Sequence, residues 1–99
     1  MATIVRHIIV RASPDKGAEI ERLWKADCAP LMIKRRGCLR EELLRCREEP
    51  GEYISVAEWE SQEAIDAYLG SPEHQQIIQH TRGLTGMAAT VRTYNLVGG

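Results

Sequence analysis

The sequence predicts a single α+β domain, a plait with a four-stranded antiparallel sheet and helices on one face. Three observations carry that prediction. Alternating β-branched runs stand at both ends of the chain and around a Pro-Gly turn in its middle. Two segments between them follow the 3.6-residue helical period and carry start and stop signals. The resulting order is strand, helix, hairpin, helix pair, strand.

Residues Thr3 to Arg11 alternate and are rich in Val and Ile, so they read as the first strand. Its two faces separate as Ile4, Arg6, Ile8, Val10 and as Thr3, Val5, His7, Ile9. Ser13 stands as an N-cap with Pro14 at the first helical position and Asp15 in the first turn. From there a helix is expected from about Pro14 to Ile33, weakened at Gly17 and open to a bend at Pro30. Its buried stripe should comprise Ile20, Leu23, Trp24, Cys28 and Leu31, interrupted by Asp27.

After Gly37, "CLREELLRCRE" alternates as a second strand, and "YISVAEW" as a third. The Pro50-Gly51 turn makes a hairpin of residues 38–59, with Tyr53, Ser55, Ala57 and Trp59 on one face. Ser61 caps a short helix that runs to about Leu69 and stops at Gly70. Ser71-Pro72 starts another, carrying His74, Ile77, Ile78 and His80. "GLTG" is its exit, and "MAATVRTYNLV" is the fourth strand. Helices cover one face of such a sheet. The simplest cover for the other is a second copy of the chain, so a homodimer is expected.

Composition sets the outer limits. The 99 residues, 43% hydrophobic and 27% charged, suit one domain over 1–99, without repeat, linker or low-complexity segment. Thirteen Lys and Arg against fourteen Asp and Glu leave a charge of -1, which gives no general drive towards nucleic acid or an anionic membrane. No apolar run reaches the roughly 20 residues needed to span a bilayer. "MATIVRHIIV" holds Arg6 and His7 within its apolar run and does not read as a signal peptide. Cys28, Cys38 and Cys46 form no CxxC pair, so reduced thiols and a cytoplasmic setting are expected. Neither His74 nor His80 pairs with another His, Asp or Glu at metal-ligand spacing, and no metal site is expected.

"PGEYISVAEWESQEAIDAYLGSPEHQQI", preceded by "RGCLREELL", resembles the antibiotic biosynthesis monooxygenase domains from Ile4 to Val97. The most specific features are Glu-x-Trp at a strand end, the following Ser-x-x-Ala, and the Leu-x-Ser-Pro step. The resemblance implies a ferredoxin-like plait that pairs into a dimeric α+β barrel. It places a pocket between the concave sheet face and the helices. Family members include cofactor-independent oxygenases of hydroquinones and anthrones, quinol oxygenases and heme-degrading enzymes.

On that resemblance, Trp59 would line the pocket as an apolar wall, or serve only as an anchor between strand and helix. Ser55 stands where oxygenase relatives carry an Asn, and its hydroxyl can make fewer hydrogen bonds than an amide. Tyr68 stands where relatives carry His or Trp, and could orient a phenolic oxygen. His7 is the expected proton acceptor, because a cofactor-free oxygenase must ionise its substrate and a His titrates near neutrality. Arg92 and Arg82 could hold an oxyanion at the pocket mouth, or pair with surface carboxylates. Heme degradation is disfavoured, since its axial His, Trp and Asn positions fall on Ile78, Tyr68 and His7.

The function expected is therefore a cofactor-independent monooxygenase, using molecular oxygen on a small phenolic or quinol-type aromatic, with His7 catalytic and Ser55, Trp59, Tyr68 and Arg92 binding substrate. A non-catalytic small-metabolite-binding or stress-related barrel protein, or a cofactor-free isomerase, are the alternatives.

Overall fold

The computed structural model describes residues 3–81 and 88–98, without the side chains of 80 and 81. Strand β1 is Ile4–Arg11, β2 is Cys38–Arg45, β3 is Glu52–Trp59 and β4 is Ala88–Asn95. They form one sheet in the order β2-β3-β1-β4, with every neighbouring pair antiparallel. The α+β plait read from the sequence is the fold observed. "GLTG", Arg82 and the expected start of the last strand at Met87 lie outside the described residues.

The hairpin between β2 and β3 turns at Pro50 and Gly51, closed by the Glu52 amide donating to the Glu49 carbonyl at 3.2 Å. Gly51 has φ +90°, which suits the third position of a turn with Pro at the second. A Cβ there would run into the Ala12 carbonyl, so only glycine fits.

The first helical region runs without a break from Pro14 to Ile33, as expected, but its winding changes along the way. A 3₁₀ turn, Pro14–Lys16, leads into α1, Gly17–Leu23; a π-helical stretch, Trp24–Cys28, leads into α2, Ala29–Ile33. Ser13 occupies the N-cap position without a side-chain capping bond; instead its carbonyl accepts the Lys16 amide at 2.9 Å. Pro30 has no N–H to give to the preceding turn, and the Ala29 amide reaches back to the Trp24 carbonyl. The wider π turn advances the stripe by one residue. Cys28 and Met32 are buried, and Leu31, expected inside, is only half-buried.

Helix α3, Gln62–Leu69, starts where the Ser61 hydroxyl accepts the Ala64 amide at 3.1 Å. Helix α4, Pro72–Thr81, starts at Ser71, whose hydroxyl accepts the His74 amide at 3.2 Å and donates to the Tyr68 carbonyl at 2.6 Å. All the helices lie over the sheet face that carries Ile4, Arg6, Ile8 and Val10. Two packed clusters result. One gathers Cys28, Met32, Ala57, Trp59, Ile65 and Tyr68; the other gathers Ile20, Leu23 and Tyr53. Among the described residues, no helix is long and apolar enough to cross a membrane.

Candidate functional site

A cavity of about 320 Å³ lies between the sheet and the helices, bordered by members of both clusters. Its floor is Arg6, Ile8 and Val10 from β1, Leu43 from β2 and Ser55 from β3. Its roof comes from the helices, through Leu23, Trp24, Cys28, Tyr68 and His74 among others. Ala89 and Val91 of β4 complete it, and Val91 is 51% exposed, which puts the mouth on that edge. The lining is mostly aliphatic. Arg6, Ser55, Tyr68 and His74 supply its polar groups.

Strand register explains the grouping. Ser55 pairs with Ile8 and Leu43, while the next row runs Glu41, Ala57, Arg6, Thr93 across the four strands. A register shift between Cys38 and Arg40 in β2 sets which of its residues face the helices. Glu41 therefore points under the helices, whereas Arg40 and Glu42 pair with each other on the exposed side at 2.7 Å. Glu41 accepts from Ser55 Oγ at 2.8 Å and from Trp24 Nε1 at 3.2 Å, both on Oε1. Burial pushes its carboxyl up to about 7, against the pull of these two hydrogen bonds and of Arg6.

Arg6 is 8% exposed, and burial lowers its pKa, partly offset by Tyr68 and Glu41. The Tyr68 ring sits between two others, 5.1 Å from Trp59 and 5.0 Å from His74 in an edge-on contact. Burial pushes the Tyr68 hydroxyl well above the usual phenol range, and Arg6 moderates the rise. Burial lowers the pKa of His74, whose Nδ1 lies 3.1 Å from the Leu69 carbonyl. The Cys28 thiol is pushed up to about 11, again by burial first, so it is neutral in the wall.

Of the residues singled out from sequence, Ser55 and Tyr68 line the cavity. Trp59 is 0% exposed and stands one layer behind it, backing Tyr68 rather than forming the wall. Strand parity places His7 apart from them. His7 shares a face with Val5 and Ile9, stacks 4.9 Å from Tyr94, and stands on the side of the sheet away from the cavity. Arg92 pairs with His7 in register and stands on that same outer face, exposed. Neither reaches the cavity of its own chain. The His80 side chain and Arg82 lie outside the described residues.

The sequence reading missed Arg6 and Glu41. Arg6 was legible as a charged residue flanked by Ile4, Ile8 and Val10 on one strand face. Glu41 had no such signal, because it sits in an acidic run and its direction depends on the bulge. Among the described residues, no group of three or more His, Cys, Asp or Glu could hold a metal ion.

Residues 3–80 match the family of antibiotic biosynthesis monooxygenases. Solved structures share the fold at low identity. A provisionally assigned antibiotic biosynthesis monooxygenase from Bordetella bronchiseptica is 22% identical, with a TM-score of 0.86 over 99% of this chain and 100% of that one. Another, from Caulobacter crescentus CB15, is 21% identical, with a TM-score of 0.83 over 98% and 92%. SnoaB, a cofactor-independent oxygenase from Streptomyces nogalater, is 22% identical, with a TM-score of 0.77 over 99% and 94%. Among curated proteins, none matches.

Proposed function

The chain belongs to the antibiotic biosynthesis monooxygenase family, and from that premise we propose that it is a cofactor-independent monooxygenase of a small phenolic or quinol-type aromatic. The cavity is the observation that carries this reading. At about 320 Å³ it lies at the small end of the range of roughly 300–1,000 Å³ for ligand sites, so it suits one small ring system. Its aliphatic walls favour both an aromatic ring and dissolved oxygen over water.

The chemistry asks little of the protein beyond ionisation, orientation and dryness. A substrate with an activated CH₂ beside an ionisable oxygen loses a proton, and the anion passes one electron to O₂. The two radicals join as a peroxide, which takes up the proton and then expels water. The balance is R₂CH₂ + O₂ → R₂C=O + H₂O, with the substrate as the reductant. Ser55 and Tyr68 orient the substrate's oxygens from floor and roof, and the Trp59–Tyr68 stack stiffens the wall.

The working unit in this reading is a homodimer. The sheet face away from the helices carries Val5, Ile9, Ile54, Leu44 and Tyr94, with the last two 50% and 46% exposed. A second copy is the cover proposed for it.

Oxygen uptake tests the function. Wild-type protein in chelator-treated, flavin-free buffer is offered a panel of hydroquinones and anthrones, alongside Ser55→Ala and Tyr68→Phe. Uptake that falls about tenfold or more in either variant supports the reading. Uptake no faster than buffer alone across the panel sinks it.

A further inference from the structure

The cavity floor holds a cation with no carboxylate in contact with it. Arg6 lines the cavity and is almost fully buried, yet no carboxylate among the described residues stands within ion-pair distance of it. Ion pairs between described residues engage Arg11, Arg35, Arg40 and Arg45 instead. A buried cation with no anion beside it is costly. A ligand that brings the negative charge accounts for its place.

The anion can be made on the spot. Ser55 Oγ reaches the cavity and donates to Glu41 Oε1 at 2.8 Å, while Trp24 Nε1 steadies the same oxygen at 3.2 Å. Glu41 Oε2 is buried and has no hydrogen-bond partner among the described residues. That arrangement leaves the carboxylate under-solvated and ready to take a proton.

We propose that Ser55 and Glu41 form a proton relay leading from the cavity floor, and that Arg6 neutralises the oxyanion left behind, making this a site for acidic phenols or enols held as their anions. The inference rests on the reading of the cavity as the substrate site. The ligand's O–H proton passes to Ser55 Oγ as the Ser55 proton passes to Glu41 Oε1. No electron moves, and one carboxylate becomes neutral as one phenol becomes an anion. Glu41 acts through Ser55 and is a positioning residue; Ser55 and Arg6 touch the ligand.

The surroundings of Glu41 fit that role. Its carboxyl is pushed up to about 7, so it is ionised but readily protonated slightly above neutral pH. The charged groups that act on it are Arg6 across Ala57 and the neighbouring Glu42. Cys28 from the π turn, Cys38 from β2 and Tyr68 from α3 are all pushed up by burial and stay neutral. His74 on α4 is pulled down by burial and by Arg6, so it brings no competing charge at that pH.

The test uses 4-chlorophenol under argon at about pH 8, where a phenol titrating above about 9 is neutral in water. The expected result is a phenolate near-UV band on binding to the wild type, with no net proton released. Proton release is read by calorimetry in two buffers of different ionisation enthalpy. Arg6→Met should lose the band and bind at least about tenfold more weakly, while Arg6→Lys keeps part of it. Glu41→Gln should still bind phenolate through Arg6 but release about one proton per site to the buffer. A neutral-phenol spectrum or no binding in the wild type overturns the inference, as does an unchanged band in Arg6→Met or unchanged proton release in Glu41→Gln. A phenolate band under argon without oxygen uptake in air removes the oxygenase reading and keeps this one. Uptake in air that survives Arg6→Met, with no phenolate band, does the reverse.

Discussion

Arg6 and Glu41 occupy one row of the helix-facing sheet surface, separated by the strand that places Ala57 between them. Ala57 is 3% exposed, and its small side chain is all that stands between the two charged residues in that row. A longer side chain there has nowhere to go but into the cavity or the cluster around Trp59. Ala57→Leu is expected to lower stability by about 1–3 kcal/mol through overpacking. Denaturant unfolding should show a lower midpoint with an unchanged slope; an unaltered midpoint would mean the floor has slack.

Gly17 is held by Tyr53. A Cβ at Gly17 would stand 2.9 Å from the Tyr53 hydroxyl, which is fixed by a 2.6 Å hydrogen bond to Glu21 Oε2. The Tyr53 ring is buried and cannot swing aside. Gly17→Ala should therefore destabilise by about 1 kcal/mol, despite the gain of up to about 1 kcal/mol that alanine brings to a helix. In a Tyr53→Phe background the clash is gone and the same substitution should become neutral or stabilising. A double-mutant cycle with no coupling would show that the helix simply shifts.

These two relationships show what could be read from the chain and what could not. The strands, the Pro50-Gly51 turn and the caps at Ser61 and Ser71 are local signals, and they stand where local chemistry puts them. Ser55 and Tyr68 followed from position within a recognised pattern. The two faces of β1 were separable too, but Val5 and Ile9 make the outer face nearly as apolar as the inner one. Nothing within the strand says which face meets the helices, so the side on which His7 stands could not be read from it. Arg6 looked like an intruder on an apolar face and is the cavity's cation. Glu41 depends on a bulge and on long-range pairing with Ser55 and Trp24, neither of which leaves a local trace. The burial of Met32 in place of Leu31 likewise depends on the π turn before Pro30.

Ser71 joins two helices through one buried hydroxyl. It accepts the His74 amide and donates to the Tyr68 carbonyl, and the residue is 4% exposed. Ser71→Ala removes both bonds; the Tyr68 carbonyl keeps the Ser71 amide at 2.9 Å, but the His74 amide loses its cap. A loss of about 1–2 kcal/mol is expected. Because the step sets where His74 meets Tyr68, cavity binding should weaken as well. Loss of stability with unchanged affinity would mean the aromatic contact is held from elsewhere.

The outer sheet face offers a direct test of the proposed homodimer. Ile54 lies on a central strand, in register with Leu44 on one side and Ile9 on the other. Light scattering of the wild type should give twice the chain mass. Ile54→Glu puts a charge into the middle of the covered face and should weaken association at least about a hundredfold. A monomeric wild type would leave that face to another partner and remove the dimer.

The ionisation of Glu41 should be visible in stability against pH. Its carboxyl, ordinarily near 4.5, is raised to about 7 in the folded protein, with burial as the main cause. The folded state therefore holds the proton more tightly than the unfolded one. That contribution is fully present below about 4.5 and is lost as pH rises through 7. A separation of about 2.5 pH units, at about 1.4 kcal/mol each, sets the limit near 3 kcal/mol. Glu21 shifts the other way, down to about 2 beside Arg45 and Tyr53, so its effect falls in a more acidic window. Wild-type stability should consequently fall between about pH 5 and pH 8 by a few kcal/mol at most, and Glu41→Gln should flatten that fall. Gln keeps an oxygen for Ser55 and Trp24 without a charge to desolvate, so the variant should be the more stable of the two at the alkaline end. Parallel pH–stability curves for the two proteins would mean that Glu41 is solvated well enough to ionise normally, and the relay would lose its acceptor.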